Sequence, residues 1–295
     1  MMPVALISDV HGNLHALERI RQDIAGRRIE RVICLGDVAS YNADQDACMD
    51  LVVRDGMEWI AGNHDLIAAG LLSPLSCSPA ARFAATRARR ALRPAWREHI
   101  RRLPLLIADE HLVAFHGSPR RVDEYLRTAS DVRRASDVLR AAGVTRQVAF
   151  FGHTHRACVW SLRPDGVLRQ RTGPVVALED GEQHLVNAGT VGEPRTADHS
   201  ATYVIYDPRA RTVEFCRLVY AYREARVRSE RGGWRRVDPG PWTRLLDHAT
   251  RRASRVRSRL WPSPLDDASL AAIEERRRDL VGGARPTVPV AAGSR

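Results

Sequence analysis

The chain has 295 residues, 44% of them hydrophobic, which supports a real core and excludes a disordered protein. No run approaches the roughly 18 apolar residues of a membrane span, so a bilayer is not an expected partner. The net charge of +11 comes from arginine alone, 46 against 35 acidic residues, and a GC-rich coding sequence tends to produce that bias. The distribution says more: twelve of these arginines fall in 223–259, against four acidic residues.

In chain order, residues 3–8 form the first predicted strand. No basic leader precedes it, so a signal peptide is not expected. Asn13 can cap a helix whose Leu14, Leu17, Ile20 and Ile24 share one face. A strand over 31–35, a helix over 44–54 and a strand over 57–61 complete a βαβαβ pattern, that of a parallel, helix-flanked sheet. Residues 65–102 read as helical, broken at Pro74, Pro79 and Pro94. Strands at 105–108 and 111–115 suggest a hairpin, followed by a helix over 131–142 and a strand over 148–151. Short strands at 158–162, 167–171, 183–187, 201–206 and 212–219 suggest a second, largely antiparallel layer. The expected fold class is α/β: two packed mixed β-sheets flanked by helices, in a domain spanning 1–222.

Residues 223–281 are expected to form an Arg-rich helical extension, with a linker at 231–241 and helices near 242–260 and 266–280. The tail at 282–295 is expected to be disordered. The five cysteines, Cys34, Cys48, Cys77, Cys158 and Cys216, are odd in number and form no CxxC pair. They suit a reducing compartment, so the cytoplasm is the expected location.

Five of the short apolar runs end in polar clusters. These are Asp9-Val10-His11, Gly36-Asp37, Gly62-Asn63-His64-Asp65, His116-Gly117 and Gly152-His153-Thr154-His155. Sites in open α/β sheets assemble at the carboxyl ends of strands. A lone histidine or Gly-Asp pair usually marks a surface residue or a turn, so the set carries the weight. Seven candidate ligands (Asp9, His11, Asp37, Asn63, His116, His153 and His155) mix nitrogen and oxygen without a thiolate. That chemistry suits Mn, Fe, Zn, Co or Ni. Seven exceed what one ion with an open position takes, so two divalent transition-metal ions are expected. A shared carboxylate would hold them about 4 Å apart. His15, His99, His111, His184, His199 and His248 fit no ligand position.

The same series resembles the calcineurin-like metallophosphoesterases, and within them the small bacterial and archaeal phosphodiesterase branch. The stretches 8–17 (Ser-Asp-Val-His-Gly-Asn-Leu-His-Ala-Leu) and 187–195 (Asn-Ala-Gly-Thr-Val-Gly-Glu-Pro-Arg) add to the likeness, which runs over about residues 3–220. The resemblance implies one ion on Asp9, His11, Asp37 and His155, and a second on Asp37, Asn63, His116 and His153, with Asp37 bridging. It implies attack on phosphorus by a hydroxide between the ions, with His64 as the acid that assists the leaving oxygen. The eukaryotic protein-phosphatase branch continues Gly-Asp with an Asp-Arg pair that supports this histidine and holds phosphate. Here the chain continues Ser40-Tyr41-Asn42, which argues against a phosphoprotein phosphatase and leaves His64 without an evident orienting partner. Asn187-Ala-Gly-Thr190 stands where the family more often has Asn-Pro-Gly-Ser. Asn13 and Arg195 are the expected substrate contacts.

The expected function is therefore two-metal hydrolysis of a phosphodiester or phosphomonoester, with a small molecule or nucleotide as substrate. Alternatives are a dinucleoside polyphosphate pyrophosphohydrolase and a nuclease or RNA-end phosphatase. In the latter the 223–259 stretch, with Trp234 and Trp242, would grip nucleic acid; a solvated helix packed by its tryptophans is the favoured reading of that stretch. A non-catalytic scaffold is disfavoured because every ligand position is filled.

Overall fold

A computed structural model describes residues 2–144, 148–195 and 197–234. Strand β1 (Val4–Ile7), helix α1 (Leu14–Gly26), strand β2 (Arg31–Cys34), helix α2 (Gln45–Arg54) and strand β3 (Glu58–Trp59) form the N-terminal βαβαβ unit. Its three strands run parallel, β1 beside β2 and β2 beside β3. Helices α3 (Asn63–Ala69), α4 (Pro79–Ala91) and α5 (Pro94–Arg101) follow. The expected breaks at Pro79 and Pro94 are helix starts, where a fixed φ and a missing N–H cost nothing. Next come β4 (Leu106–Ala108), β5 (Leu112–Phe115), α6 (Ala129–Ala141) and β6 (Val148–Phe151). The chain then forms β7 (Cys158–Leu162), β8 (Leu168–Arg171), β9 (Val175–Ala177), β10 (Gln183–Asn187), β11 (Ala201–Asp207), β12 (Thr212–Leu218) and α7 (Tyr222–Arg231).

These strands build two six-stranded sheets, ordered β3-β2-β1-β11-β12-β9 and β4-β5-β6-β10-β7-β8. The α/β class with two mixed, helix-flanked sheets is therefore present. The expectation of a separate antiparallel layer over 158–220 is corrected. Its strands divide, with β7, β8 and β10 completing the sheet of β4–β6 and β9, β11 and β12 completing that of β1–β3. The reason is the central position of β1, whose second edge needs a hydrogen-bonding partner once β2 has taken the first. Antiparallel β11 supplies it, with Ala5 opposite Ile205. Strand β9 escapes a reading by sequence because it is a three-residue edge with only its middle residue buried.

Alternation along the strands distributes the core. Val4, Leu6, Ile33 and Leu35 face Leu112, Ala114, Val148 and Phe150 between the sheets. Ala5 and Ile7 lie on the other face, with Leu17, Ile20 and Ile24 of α1. Val113, Phe115, Ala149 and Phe151 meet Val132, Ala135 and Leu139 of α6 on the far side. Each sheet thus has one face on its partner and one on helices, which fixes which way the strand ends point. No helix among the described residues is long and apolar enough to cross a membrane. All five cysteines are free thiols.

The described part of the expected C-terminal extension packs on the main body. Arg228 of α7 pairs with Asp44, and Ser229 Oγ donates to Asn42 Oδ1 at 3.0 Å. Trp234, expected in a linker, is 8% exposed and belongs to the core cluster around α1 and α2. The Arg87 guanidinium lies over its ring at 5.2 Å. The helices expected at 242–260 and 266–280 and the tail at 282–295 lie outside the described residues. Because Trp234 fills a core position, Trp234→Ala is expected to lower the unfolding free energy by about 3 kcal/mol, measured by urea denaturation. An unchanged midpoint would place this segment outside the cooperative unit.

Candidate metal centre

The polar clusters at the ends of β1, β2, β3, β5 and β6 meet at one rim, and hydrogen bonds across the two sheets lock them there. His116 Nδ1–H donates to Leu35 O at 2.7 Å, and His153 N donates to Asp9 Oδ2 at 2.9 Å. Within the first sheet, Asp9 N donates to Gly36 O (3.0 Å) and His11 N to Asp37 O (2.8 Å). The loops after β1 and β2 are thereby laced together.

The backbone at this rim is left-handed. Asp9 (φ 55°), His11 (49°), Asp37 (56°), Ser40 (84°), Tyr41 (59°), His153 (60°) and His155 (60°) all have positive φ. Only three other non-glycine residues among those described do so. Such conformations cost of order 1–3 kcal/mol each and persist where the surroundings over-determine them. Asp9 and His11, like His153 and His155, therefore converge through left-handed turns rather than through strand alternation.

Two groups of ligand atoms gather on this frame. In the first, Asp9 Oδ1 lies 3.1 Å from His155 Nε2 and 3.7 Å from His11 Nε2, and the two Nε2 atoms are 3.3 Å apart. His11 Nδ1 is committed to Ala39 O at 3.1 Å and His155 Nδ1 to Glu193 O at 2.9 Å. Those bonds place the ring protons on Nδ1 and leave both Nε2 atoms as lone pairs. Asp9 Oδ1 is buried and receives no hydrogen bond. Three acceptors thus face one another without a donor, an arrangement that a cation satisfies and a neutral interior does not. In the second group His116 Nε2 stands 3.3 Å from Asp37 Oδ2 and 3.1 Å from Asn63 Oδ1. His153 completes it; its Nε2–H donates to Asp123 O at 3.2 Å, which turns Nδ1 into the free ligand atom. Asp37 Oδ2 also lies 3.8 Å from His11 Nε2 of the first group. All seven sequence-nominated ligand residues are therefore brought together, and the donor set fits divalent transition-metal ions.

Titration follows from this crowding. Burial takes the His11 imidazole down to about 3 and also lowers His64 and His153, so these three are neutral at pH 7. His116 goes the other way: burial pulls it down, but the Asp37 carboxylate outweighs this and lifts it to about 9. Without an ion, a proton occupies the place between His116 and Asp37.

Close approach excludes side chains at two points. A Cβ on Gly62 would run into the Asp37 carboxylate, and one on Gly152 would strike Ser8 Oγ and come within 2.7 Å of Asp9 Oδ2. Asp65 holds the Asp37 turn from behind, accepting from Asp37 N (2.8 Å), Ala39 N (2.9 Å) and Gly62 N (3.1 Å). Asn187 Nδ2 donates to Gly152 O (2.6 Å) and Thr154 Oγ1 (3.0 Å), and Thr190 Oγ1 donates to Asp9 O (3.0 Å). The 187–190 motif thus braces two ligand turns, a role its sequence did not disclose.

His64 sits beside the groups, with its Nδ1 3.0 Å from Ser40 Oγ. This hydroxyl is a hydrogen-bonding partner of His64 that sequence reading could not find. Tyr41 packs edge-on to His11, ring centroids 4.6 Å apart, and lies 5.0 Å from His64. Asn13, expected at the substrate, has hydrogen bonds within the fold. Its Oδ1 caps α1 through Ala16 N (3.2 Å), and its Nδ2 donates to Gly192 O and Tyr220 OH (both 3.0 Å). Those bonds commit its amide. Arg195 is exposed, two residues beyond the Glu193 carbonyl that holds His155. Tyr125 and Arg127, which sequence reading passed over, reach the rim from the loop before α6. The Tyr125 ring stacks on His153 at 3.9 Å, and the Arg127 guanidinium lies 3.7 Å above the ring centroid. No local pattern marks them; only the fold places them there.

Residues 2–211 match the family model described as the calcineurin-like phosphoesterase superfamily domain. The chain is 30% identical to a metallophosphoesterase from Sphaerobacter thermophilus of known crystal structure, with 79% of this chain and 95% of that one covered and a TM-score of 0.66. A hypothetical protein from Pyrococcus horikoshii OT3 shares the fold at a TM-score of 0.62 and 16% identity, over 79% of this chain and 94% of its own. An uncharacterized protein from Methanocaldococcus jannaschii is 28% identical over 228 residues, 75% of this chain and 89% of its own length.

Two outcomes follow for metal binding. Gly152→Ala drives a methyl group into Ser8 and Asp9, so bound Mn²⁺ measured by equilibrium dialysis should fall by at least about one ion per chain, while Gly166→Ala, in open space, should leave it unchanged. Because a cation must displace the His116 proton, apparent affinity should rise with pH up to about 9 and fall below it. Calorimetry in buffers of different ionisation enthalpy should show proton release on Mn²⁺ binding at pH 7; no release would contradict the assignment.

Proposed function

Since the chain belongs to the calcineurin-like phosphoesterase superfamily and is a hydrolase acting on phosphoesters, we propose that it hydrolyses a phosphodiester or phosphomonoester with two divalent metal ions sharing Asp37. The supporting observation is the position of Asp37 Oδ2, 3.3 Å from His116 Nε2 and 3.8 Å from His11 Nε2, between the two groups of acceptors. Asp9, His11 and His155 would hold one ion, and Asn63, His116 and His153 the other. Nitrogen and oxygen ligands favour Mn, Fe, Zn, Co or Ni. Such ions, when bound, lower the pKa of water toward neutrality and neutralise phosphoryl oxygens.

The chain's own residues supply the rest. Asp37 Oδ1 accepts from His64 N at 2.7 Å, which ties the acid to the ligand set. Ser40 Oγ lies 3.0 Å from His64 Nδ1 and orients the ring; in the imidazolium form that a general acid needs, Nδ1–H donates to this hydroxyl. His64 would take up a proton as the anionic substrate binds and pass it from Nε2 to the leaving oxygen. Ser40 and Tyr41 in place of an Asp-Arg pair favour small phosphoesters over phosphoproteins. The free thiols suit the cytoplasm as its location.

The purified chain should hydrolyse bis-(p-nitrophenyl) phosphate with added Mn²⁺ or Ni²⁺. His64→Ala should lower kcat by about 10²–10⁴-fold with metal content kept, and Asp37→Asn should lose both metal and activity. Full activity in both variants would refute the proposal.

A further inference from the structure

The two imidazoles of the second group leave different strands, His116 the end of β5 and His153 the end of β6, and their ring centroids are 5.1 Å apart. His116 is anchored on the backbone of the other sheet, through Leu35 O. His153 is anchored on a loop. Its Nε2–H donates to Asp123 O at 3.2 Å, and the Tyr125 ring covers its face at 3.9 Å. A carbonyl in a loop fixes a ring only as well as the loop is itself fixed. Ser118, two residues beyond His116, does this with its side chain. Its Oγ accepts from Arg120 N (3.1 Å) and Arg121 N (3.0 Å), while Ser118 N donates to Arg121 O at 2.9 Å. The hydroxyl lies 2.5 Å from Glu124 Oε2 and 3.3 Å from Arg121 O, so its proton goes to the carboxylate. Glu124 stands between Asp123 and Tyr125, the two residues that hold His153. Its carboxylate therefore ties the far side of the loop to the backbone that leaves His116. The approach is close, since a Cβ on Gly117 would come within 2.4 Å of Val122 O. Ser118 is only 5% exposed, so its bond to the carboxylate is shielded from water and charge-assisted. The Arg120–Glu124 pair on the outer side is more open, and such pairs contribute little.

We propose that Ser118 and Glu124 are positioning residues for the second ion: their hydrogen bond clasps the 118–125 loop so that Asp123 O keeps the His153 proton on Nε2 and leaves Nδ1 to the metal. This rests on the two-ion reading above and adds an asymmetry to it. His11 and His155 of the first group take their anchoring bonds from Ala39 and Glu193, in other loops. The clasp thus serves the second ion and not the first.

The test is Mn²⁺ uptake by the purified full chain, measured by equilibrium dialysis. The wild type should bind two ions. In Ser118→Ala and Glu124→Ala the second ion should bind at least about tenfold more weakly, the scale of one hydrogen bond to a charged group, with the first unchanged. Glu124→Gln keeps an oxygen for the Ser118 hydroxyl and should retain both ions, as should Arg120→Gln. Thr128→Ala removes the cap of α6 just beyond the loop; it should lower Tm and leave uptake unchanged, which separates positioning from stability. A second readout needs no metal. Imidazole ¹⁵N shifts of the metal-free chain at pH 7, with the His153 signals identified by their loss in His153→Asn, should show the Nε2–H tautomer alone in the wild type and a mixture in Glu124→Ala. Unchanged second-ion affinity in both alanine variants, or an unchanged tautomer, would overturn the clasp. Uptake of only one ion by the wild type would overturn the two-ion reading, and the tautomer then judges the clasp by itself.

Discussion

Asp37 Oδ2 faces His116 Nε2 on one side and His11 Nε2 on the other, and nearby Asp9 Oδ1, facing His11 and His155, is buried with no hydrogen-bond donor. Burying so many acceptors in contact is unfavourable unless positive charge sits among them. Everything else at the rim holds this arrangement in place. The backbone carbonyls of Ala39, Leu35 and Glu193 fix the tautomers of three imidazoles, and Asp123 O fixes the opposite tautomer of His153. Each ring thereby presents the nitrogen that a cation can use.

Holding these groups together demands unfavourable backbone. Seven left-handed residues at one rim amount to several kcal/mol of local strain. The compensation lies in the bonds between loops and sheets: Asp65 gathers three amides, Asn187 and Thr190 brace the His153 and Asp9 turns, and the inter-sheet core pins the strands from below. The centre is thus rigid by over-determination. That suits a site whose proposed chemistry needs fixed distances rather than motion.

Behind His64 stands the Ser40 hydroxyl at 3.0 Å, and the Tyr41 ring packs against both His11 and His64, so this part of the loop after β2 lines the site without adding a carboxylate to it.

Much of this was legible along the chain. Runs of apolar residues ending in Gly, Asp, Asn and His marked the strands, the rim and all seven residues that meet in the two groups, because strand period and residue chemistry are local properties. The pairing of strands was not legible: the 158–220 segment splits between both sheets because β1 and β6 each need a second hydrogen-bonded neighbour, a demand set by distant parts of the chain. Nor was the left-handed backbone that aims Asp9 and His11, which depends on amides of the loop after β2. The bonds of Asn13 Nδ2 to Gly192 O and Tyr220 OH join residues far apart in the chain and were not legible either. Ser40 beside His64, and Tyr125 and Arg127 above His153, join residues 24 to 28 positions apart in the chain, and no spacing rule relates them. The sequence by itself determined which groups could hold metal; the tertiary structure alone decided which way their lone pairs point and which charges surround them, because those depend on contacts between loops that only packing of the two sheets brings together.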